Sequence, residues 1–167
     1  GFSWGVGDIT TRDQTAKLVW GWAPQDSRYV DLTATLSYTN TMKDIAQGDD
    51  PDEPIMTPFL GRRDYRQWTF RLQNLSDLSG AGHDHQLTTG AEISRQDRSS
   101  RVPSSSHPEG VTRSWSAYAL SEVTWGDLTV NTGLRYEKQR IEPTDSVTAT
   151  SDSYASDAFE PQVAAIY

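Results

Sequence analysis

The sequence predicts an all-β protein, an antiparallel meander of about seven strands that forms part of a larger transmembrane β-barrel. Three observations carry this reading. Apolar and polar residues alternate with period two through most of the chain, the connections between the alternating segments are by turns short and long, and aromatic residues gather near both ends of the segments. Period-two alternation puts successive side chains on opposite faces of a strand. Nearly every segment therefore has one apolar and one polar face.

The first segment, 14–22, sets Ala16, Leu18, Trp20 and Trp22 against Thr15, Lys17, Val19 and Gly21. In 29–40, Val30, Leu32, Ala34, Leu36 and Tyr38 oppose Asp31, Thr33, Thr35, Ser37 and Thr39. Segment 65–75 opposes Trp68, Phe70 and Leu72 to Thr69, Arg71 and Gln73, and 86–95 opposes Leu87, Thr89, Ala91 and Ile93 to Thr88, Gly90, Glu92 and Ser94. Segment 114–125 is the weakest, because Tyr118 and Leu120 break the parity of Trp115, Ala119, Val123 and Trp125. Segment 128–137 alternates Leu128, Val130, Leu134 and Tyr136 with Thr129, Asn131, Gly133, Arg135 and Glu137, and the chain closes on Phe159, Pro161, Val163, Ala165 and Tyr167. Strands of about ten residues suffice to cross the apolar layer of a membrane when tilted.

Residues 23–28, 76–85 and 126–127 are short connections rich in Pro, Gly and Asp, whereas 41–64, 97–113 and 140–158 are long and polar. Short and long connections alternate strictly, as in an outer-membrane barrel with tight periplasmic turns and long outer loops. Assigned this way, Trp22, Trp125 and Tyr167 lie at the periplasmic ends of their strands, and Tyr38, Tyr65 and Tyr136 lie near the outer ends. Trp22, Tyr38, Trp125, Tyr136 and Tyr167 are thus candidate membrane-interface aromatics. A soluble secreted β-sandwich would also alternate and turn every ten residues or so. It would not require loops sorted by length, or aromatics at two levels.

Composition narrows the class further. Only 35% of the 167 residues are hydrophobic, yet there are 6 Trp, 7 Tyr and 4 Phe, too many aromatics for a disordered chain and well suited to a sheet with a single apolar face. Lys and Arg number 15 against 23 Asp and Glu, a net charge of -8, which gives no electrostatic support to nucleic acid as a partner. Cysteine is absent, which removes thiol catalysis, disulfides and Cys-based zinc sites. No apolar run approaches the roughly 20 residues of a membrane helix. Only helices and closed barrels satisfy every backbone group in lipid, so a membrane protein built from this sequence is a barrel.

The stretch 118–136, YALSEVTWGDLTVNTGLRY, resembles the barrel strand pair of TonB-dependent receptors, in which an aromatic-led strand ends in a Trp-Gly turn and the next carries Gly-Leu-Arg-Tyr. HQLTTGAE at 85–92, FEPQVAAIY at 159–167 and LVWGWAPQDSRYVDLTATLSYTN at 18–40 are similar to other strands of that family, in the same order. The resemblance covers residues from about Gln14 to the end. RLQNLSDLS at 71–79 together with HQLTTGAEISRQDR at 85–98 resembles the haem and haemoglobin branch more than the siderophore branch. The resemblance implies active uptake of an iron-containing ligand across the bacterial cell outer membrane. It also implies an N-terminal plug domain filling the barrel, and a TonB-type energy-transducing partner engaged through an N-terminal segment. No plug is recognisable in 1–167, and seven strands do not close the even-numbered barrels of bacteria. The chain is therefore expected to be a partial β-barrel domain of a longer protein.

By parity, Gly90 and Gly133 lie on the lumen face, where a missing side chain lets the sheet bend or another backbone approach, the plug in this family. Arg71, Glu92, Arg135 and Glu137 share that face and are expected to pair with one another or to meet the plug. Gly126-Asp127 supplies a two-residue hairpin in which Gly takes the positive φ of the turn.

Three histidines are present. His83 and His85 flank Asp84 in a turn assigned to the periplasmic side, without further ligands nearby to complete a metal site. His107, in the outer loop SSRVPSSSHPEG, is the one candidate ligand for haem or a chelated metal, although a loop histidine is ordinarily just solvated. The acidic run 48–54 lacks the ligand spacing and central Gly of an EF-hand loop. Nucleophile-elbow, phosphate-loop and dinucleotide motifs are absent, so the sequence carries no enzyme signature. The segment itself is expected to bind no cofactor; haem or an iron chelate is the transported ligand of the parent. The alternatives are a passive pore or structural barrel, and the secreted sandwich.

Overall fold

The computed structural model describes residues 7–47, 60–101, 109–144 and 153–167. They form one seven-stranded antiparallel sheet: β1 (Gly7–Trp22), β2 (Leu32–Gln47), β3 (Gly61–Asp77), β4 (Asp84–Ser100), β5 (Gly110–Trp125), β6 (Leu128–Pro143) and β7 (Tyr154–Ile166). Each strand pairs with its sequence neighbours, in the order β1-β2-β3-β4-β5-β6-β7. Among the described residues no second sheet covers either face, which excludes the sandwich. Ile45 is the one buried hydrophobic residue among them, while Leu18, Trp20, Phe70, Ile93, Trp115, Leu134 and Phe159 are exposed. A sheet without a core of its own has its apolar face turned to something outside the chain.

Cross-strand partners share a face, so the register assigns every residue to a side. One row reads Leu18, Leu36, Phe70, Ile93 and Trp115, and the next reads Trp20, Ala34, Leu72, Ala91, Ala117, Tyr136 and Phe159. These rows are the apolar face. Interleaved rows such as Arg71, Glu92, Ser116 and Glu137 form the polar face.

The strands are longer than the alternation predicts. Residues 41–47, 61–64, 97–100, 110–113, 140–143 and 154–158, read from sequence as loop, continue the ladder. They show no sustained apolar alternation, because single residues such as Ile45, Val111 and Ile141 stand among polar ones on both faces, and hydrogen-bonded pairing with ion pairs such as Arg62–Asp64 (2.8 Å) and Arg95–Asp97 (2.8 Å) holds them extended. β2 also starts later than expected, at Leu32. Tyr29 and Val30 instead belong to the connection 23–31, which is tied to the end of β3: the Asn74 Nδ2 and the Ser76 hydroxyl donate to the Tyr29 carbonyl (3.0 and 2.8 Å), and the Asp31 N–H donates to Asn74 Oδ1 (3.0 Å).

The β5–β6 hairpin matches its sequence reading. Gly126 has φ of 55° and Asp127 is not among the positive-φ residues, the sign pattern of a type II′ turn.

Candidate functional site

The polar face of β3–β7 concentrates hydrogen-bonding groups in a concavity of about 620 Å³ lined by Arg71, Gln73, Glu92, Tyr118, Arg135 and Gln162, among others. Arg71 and Glu92 are direct cross-strand partners, with Arg71 Nε donating to Glu92 Oε2 at 2.8 Å and Nη2 at 2.6 Å from the same oxygen. Arg135 reaches Glu137, two residues on along the same face, at 2.8 Å. Between the two pairs lies Ser116, 3% exposed. The four charged residues therefore form two local ion pairs on one face, and each guanidinium already has a carboxylate.

Tyr118 and Leu120, which spoil the parity of β5 in the sequence, explain the two glycines. Tyr118 is the cross-strand partner of Gly90, and a Cβ at Gly90 would lie 2.5 Å from the Tyr118 ring. The phenol rests in the space the glycine leaves and donates to Gln73 Oε1 (3.1 Å). Leu120 faces Gly133 in the same way, with Gln162 on the other side; a Cβ there would lie 2.7 and 2.5 Å from these side chains. The room beside both glycines is thus occupied by side chains of neighbouring strands. Sequence reasoning put Gln73 on this face by parity, beside Arg71, and missed Tyr118 and Gln162 as members of the surface. Chemically the site is a wall of donors and acceptors suited to holding polypeptide or a polar solute.

On the opposite face the aromatics form two bands. Tyr38 packs at a tilt against Trp68 (centroids 4.4 Å, planes 39° apart) and Trp115 against Tyr136 (5.3 Å, 55°), with Phe159 the register partner of Tyr136. Trp22, Trp125 and Tyr167 lie at the short-turn end. Both bands step downward across the register rows. The row of Tyr38 reaches Arg140 on β6, and Tyr136 lies four residues below Arg140. The row of Trp22 reaches Ala119 on β5 and Pro161 on β7; Trp125 and Tyr167 each lie six residues below those positions. Tyr65 does not belong to the upper band: its register partners Thr41 and Arg98 place it on the polar face. On β6 the interval from Tyr136 to Leu128, the partner of Trp125, is eight residues, roughly 26 Å along the strand.

The histidines separate. His85 Nε2 lies 2.9 Å from the Ser121 hydroxyl, while the His83 ring sits 6.5 Å from that of Trp125. Among the described residues no group of three or more His, Cys, Asp or Glu converges as a metal site. His107 and the acidic run 48–54 lie outside the described residues.

Comparison with known proteins gives a consistent answer. Residues 1–167 match the family model described as TonB dependent receptor-like, beta-barrel. A curated relative, TonB-dependent heme receptor A of Haemophilus influenzae (strain 86-028NP), is 22% identical over an alignment covering 75% of this chain and 19% of that protein. A solved structure, a double mutant of the Serratia marcescens hemophore receptor HasR in complex with its hemophore HasA and heme, superposes with a TM-score of 0.68 at 22% identity, over 95% of this chain and 26% of that one. The chain thus spans about a fifth of the curated relative and about a quarter of the solved one.

Proposed function

The chain belongs to the TonB-dependent receptor β-barrel family, and from that premise we propose that it is a wall segment of an outer-membrane receptor importing an iron-containing ligand, haem ahead of siderophore. The observation that carries the reading is the exposed apolar face bounded above and below by aromatic bands roughly a membrane thickness apart. A passive pore would share that face. The names of the two relatives, a heme receptor and a hemophore receptor in complex with heme, favour transport and favour haem.

In this reading the apolar face meets outer-membrane lipid and the polar face lines the lumen. Arg71, Glu92, Arg135 and Glu137, with Tyr118 and Gln162, then face an N-terminal plug domain of the parent. A TonB-type protein supplies energy through the parent's N-terminal segment. The activity is transport, and the segment contributes wall and outer loops, with the main ligand site elsewhere.

Binding titrations of the full-length receptor with haem and with iron chelates test this. His107→Ala should leave affinity nearly unchanged, whereas shortening together the connections expected at 41–64 and 97–113, within the stretches 48–60 and 101–109 that lie between strands, should weaken capture. A hundredfold loss from His107→Ala alone, about 2.7 kcal/mol, would make His107 a principal ligand and overturn the assignment.

A further inference from the structure

Above the upper aromatic band, the outward parity of the sheet is basic. Arg95, Arg113 and Arg140 stand side by side in one register row across β4, β5 and β6. Lys138 lies one row below, beside Trp115, and Arg66 one row above on β3. Across β3–β7 the carboxylates on the same face are Asp64, Asp97, Glu142 and Asp157; counting Arg62, which holds Asp64, six cations meet four anions, an excess of two in a chain whose formal charge is -8. Arg95 is held by Asp97 at 2.8 Å; Arg113 and Arg140 share the single carboxylate of Glu142, Arg140 Nε at 3.0 Å. Lys138 makes no ion pair with a described residue. The guanidiniums stay about half exposed (51%, 49% and 58%) around a concavity of about 370 Å³ whose apolar floor is Ile93 and Trp115.

Charge placed on the lipid side of a barrel is costly near the bilayer centre and tolerated at the interface. At that level it meets headgroups. Guanidinium groups bind phosphate through paired N–H donors, and their stems lie along apolar surface while the heads stay polar. We propose that the outward faces of β4, β5 and β6 form a site for the phosphorylated headgroup of an outer-leaflet lipid. Arg95, Arg113, Lys138 and Arg140 hold the phosphate, and Ile93 and Trp115 meet the start of the acyl chains. The site rests on the membrane orientation given under Proposed function.

The test uses the full-length receptor in a neutral detergent, titrated with dioctanoyl phosphatidic acid, with dioctanoylglycerol and with inorganic phosphate. The phosphatidate should bind about tenfold or more tightly than either partial probe, since only it offers both charge and chain. Replacing Arg95, Arg113 and Arg140 together by Gln should abolish that preference, and Arg71→Gln on the other face should keep it. Lys138→Glu, which removes a cation without breaking an ion pair, should weaken phosphatidate about tenfold and covers the case in which the triple variant does not fold. Equal binding of phosphatidate and dioctanoylglycerol by an embedded receptor, unchanged binding by Lys138→Glu, or inorganic phosphate binding as well as phosphatidate would each overturn the lipid site. A receptor that stays in solution without detergent would instead remove the membrane reading beneath it.

Discussion

The lower and upper lengths of the same strands are built on different terms. Between the aromatic bands, β2–β6 alternate, with Tyr118 and Leu120 on β5 the exceptions, and leave residues such as Phe70, Leu72 and Leu134 exposed on one face. Above the upper band the strands go on with mostly polar residues on both sides, braced along each strand by Arg62–Asp64, Arg95–Asp97 and Arg140–Glu142 and across β5 and β6 by Arg113–Glu142. The lower length needs an apolar solvent on one side; the upper length is content in water. One continuous ladder therefore runs through two solvents, and only the lower part announces itself by hydrophobic pattern.

The largest effect that can break this comparison is a charge placed at mid-depth. Leu72 lies on the apolar face between the bands, and Leu72→Arg should cost the parent barrel roughly 2–4 kcal/mol in denaturant unfolding from lipid vesicles, whereas Val111→Arg, on the same face beside Asp97 and Glu142, should cost about 0–1 kcal/mol. Equal costs would mean that the two lengths share one environment.

On the polar face the contrast is steric. Gly90→Ala drives a methyl into the Tyr118 ring and should destabilise by about 1–3 kcal/mol, and Tyr118→Ala in the same chain should relieve part of that cost. Additive losses would show that the close approach is not what the glycine serves. Gly133→Ala should be milder, because its neighbours are the open-chain side chains of Gln162 and Leu120, which turn aside more readily than a ring.

The smallest effect concerns Arg71 and Glu92. A double-mutant cycle, Arg71→Gln with Glu92→Gln, should return a coupling of about 0.2–1 kcal/mol that shrinks as salt is raised, as partly exposed pairs do. Coupling of several kcal/mol would mean that the pair is sealed from water, as a domain packed against this face would do.

What could be read from sequence follows the same division. The strand cores, the two faces and the Gly126 turn were legible because lipid imposes a period of two and a tight hairpin imposes a backbone sign. The pairing of Leu120 with Gly133 was also within reach: the two-residue turn fixes 125 opposite 128, and hence 120 opposite 133. The pairing of Gly90 with Tyr118 was not, since the long connection between β4 and β5 leaves that register free. Tyr29 and Val30 kept the alternation but lost the strand to Asn74 and Ser76, whose side chains capture the Tyr29 carbonyl. The upper strand ends were illegible because isolated apolar residues such as Ile45, Val111 and Ile141 set up no period of two there.

The downward step of the aromatic bands also measures how the strands lean in the bilayer. If each band is level in the membrane, Tyr38 to Tyr136 drops four residues over four strands, Trp22 to Tyr167 six over six, and Trp22 to Trp125 six over four. At about 3.3 Å per residue and 4.8 Å between strands, a drop of one to one and a half residues per strand is an inclination of roughly 35–45°. That is the lean at which staggered strands close a ring, with a shear slightly above the strand number. The positions of a few Trp and Tyr side chains thus record the stagger of the closed wall, although the described residues form only an open arc of it.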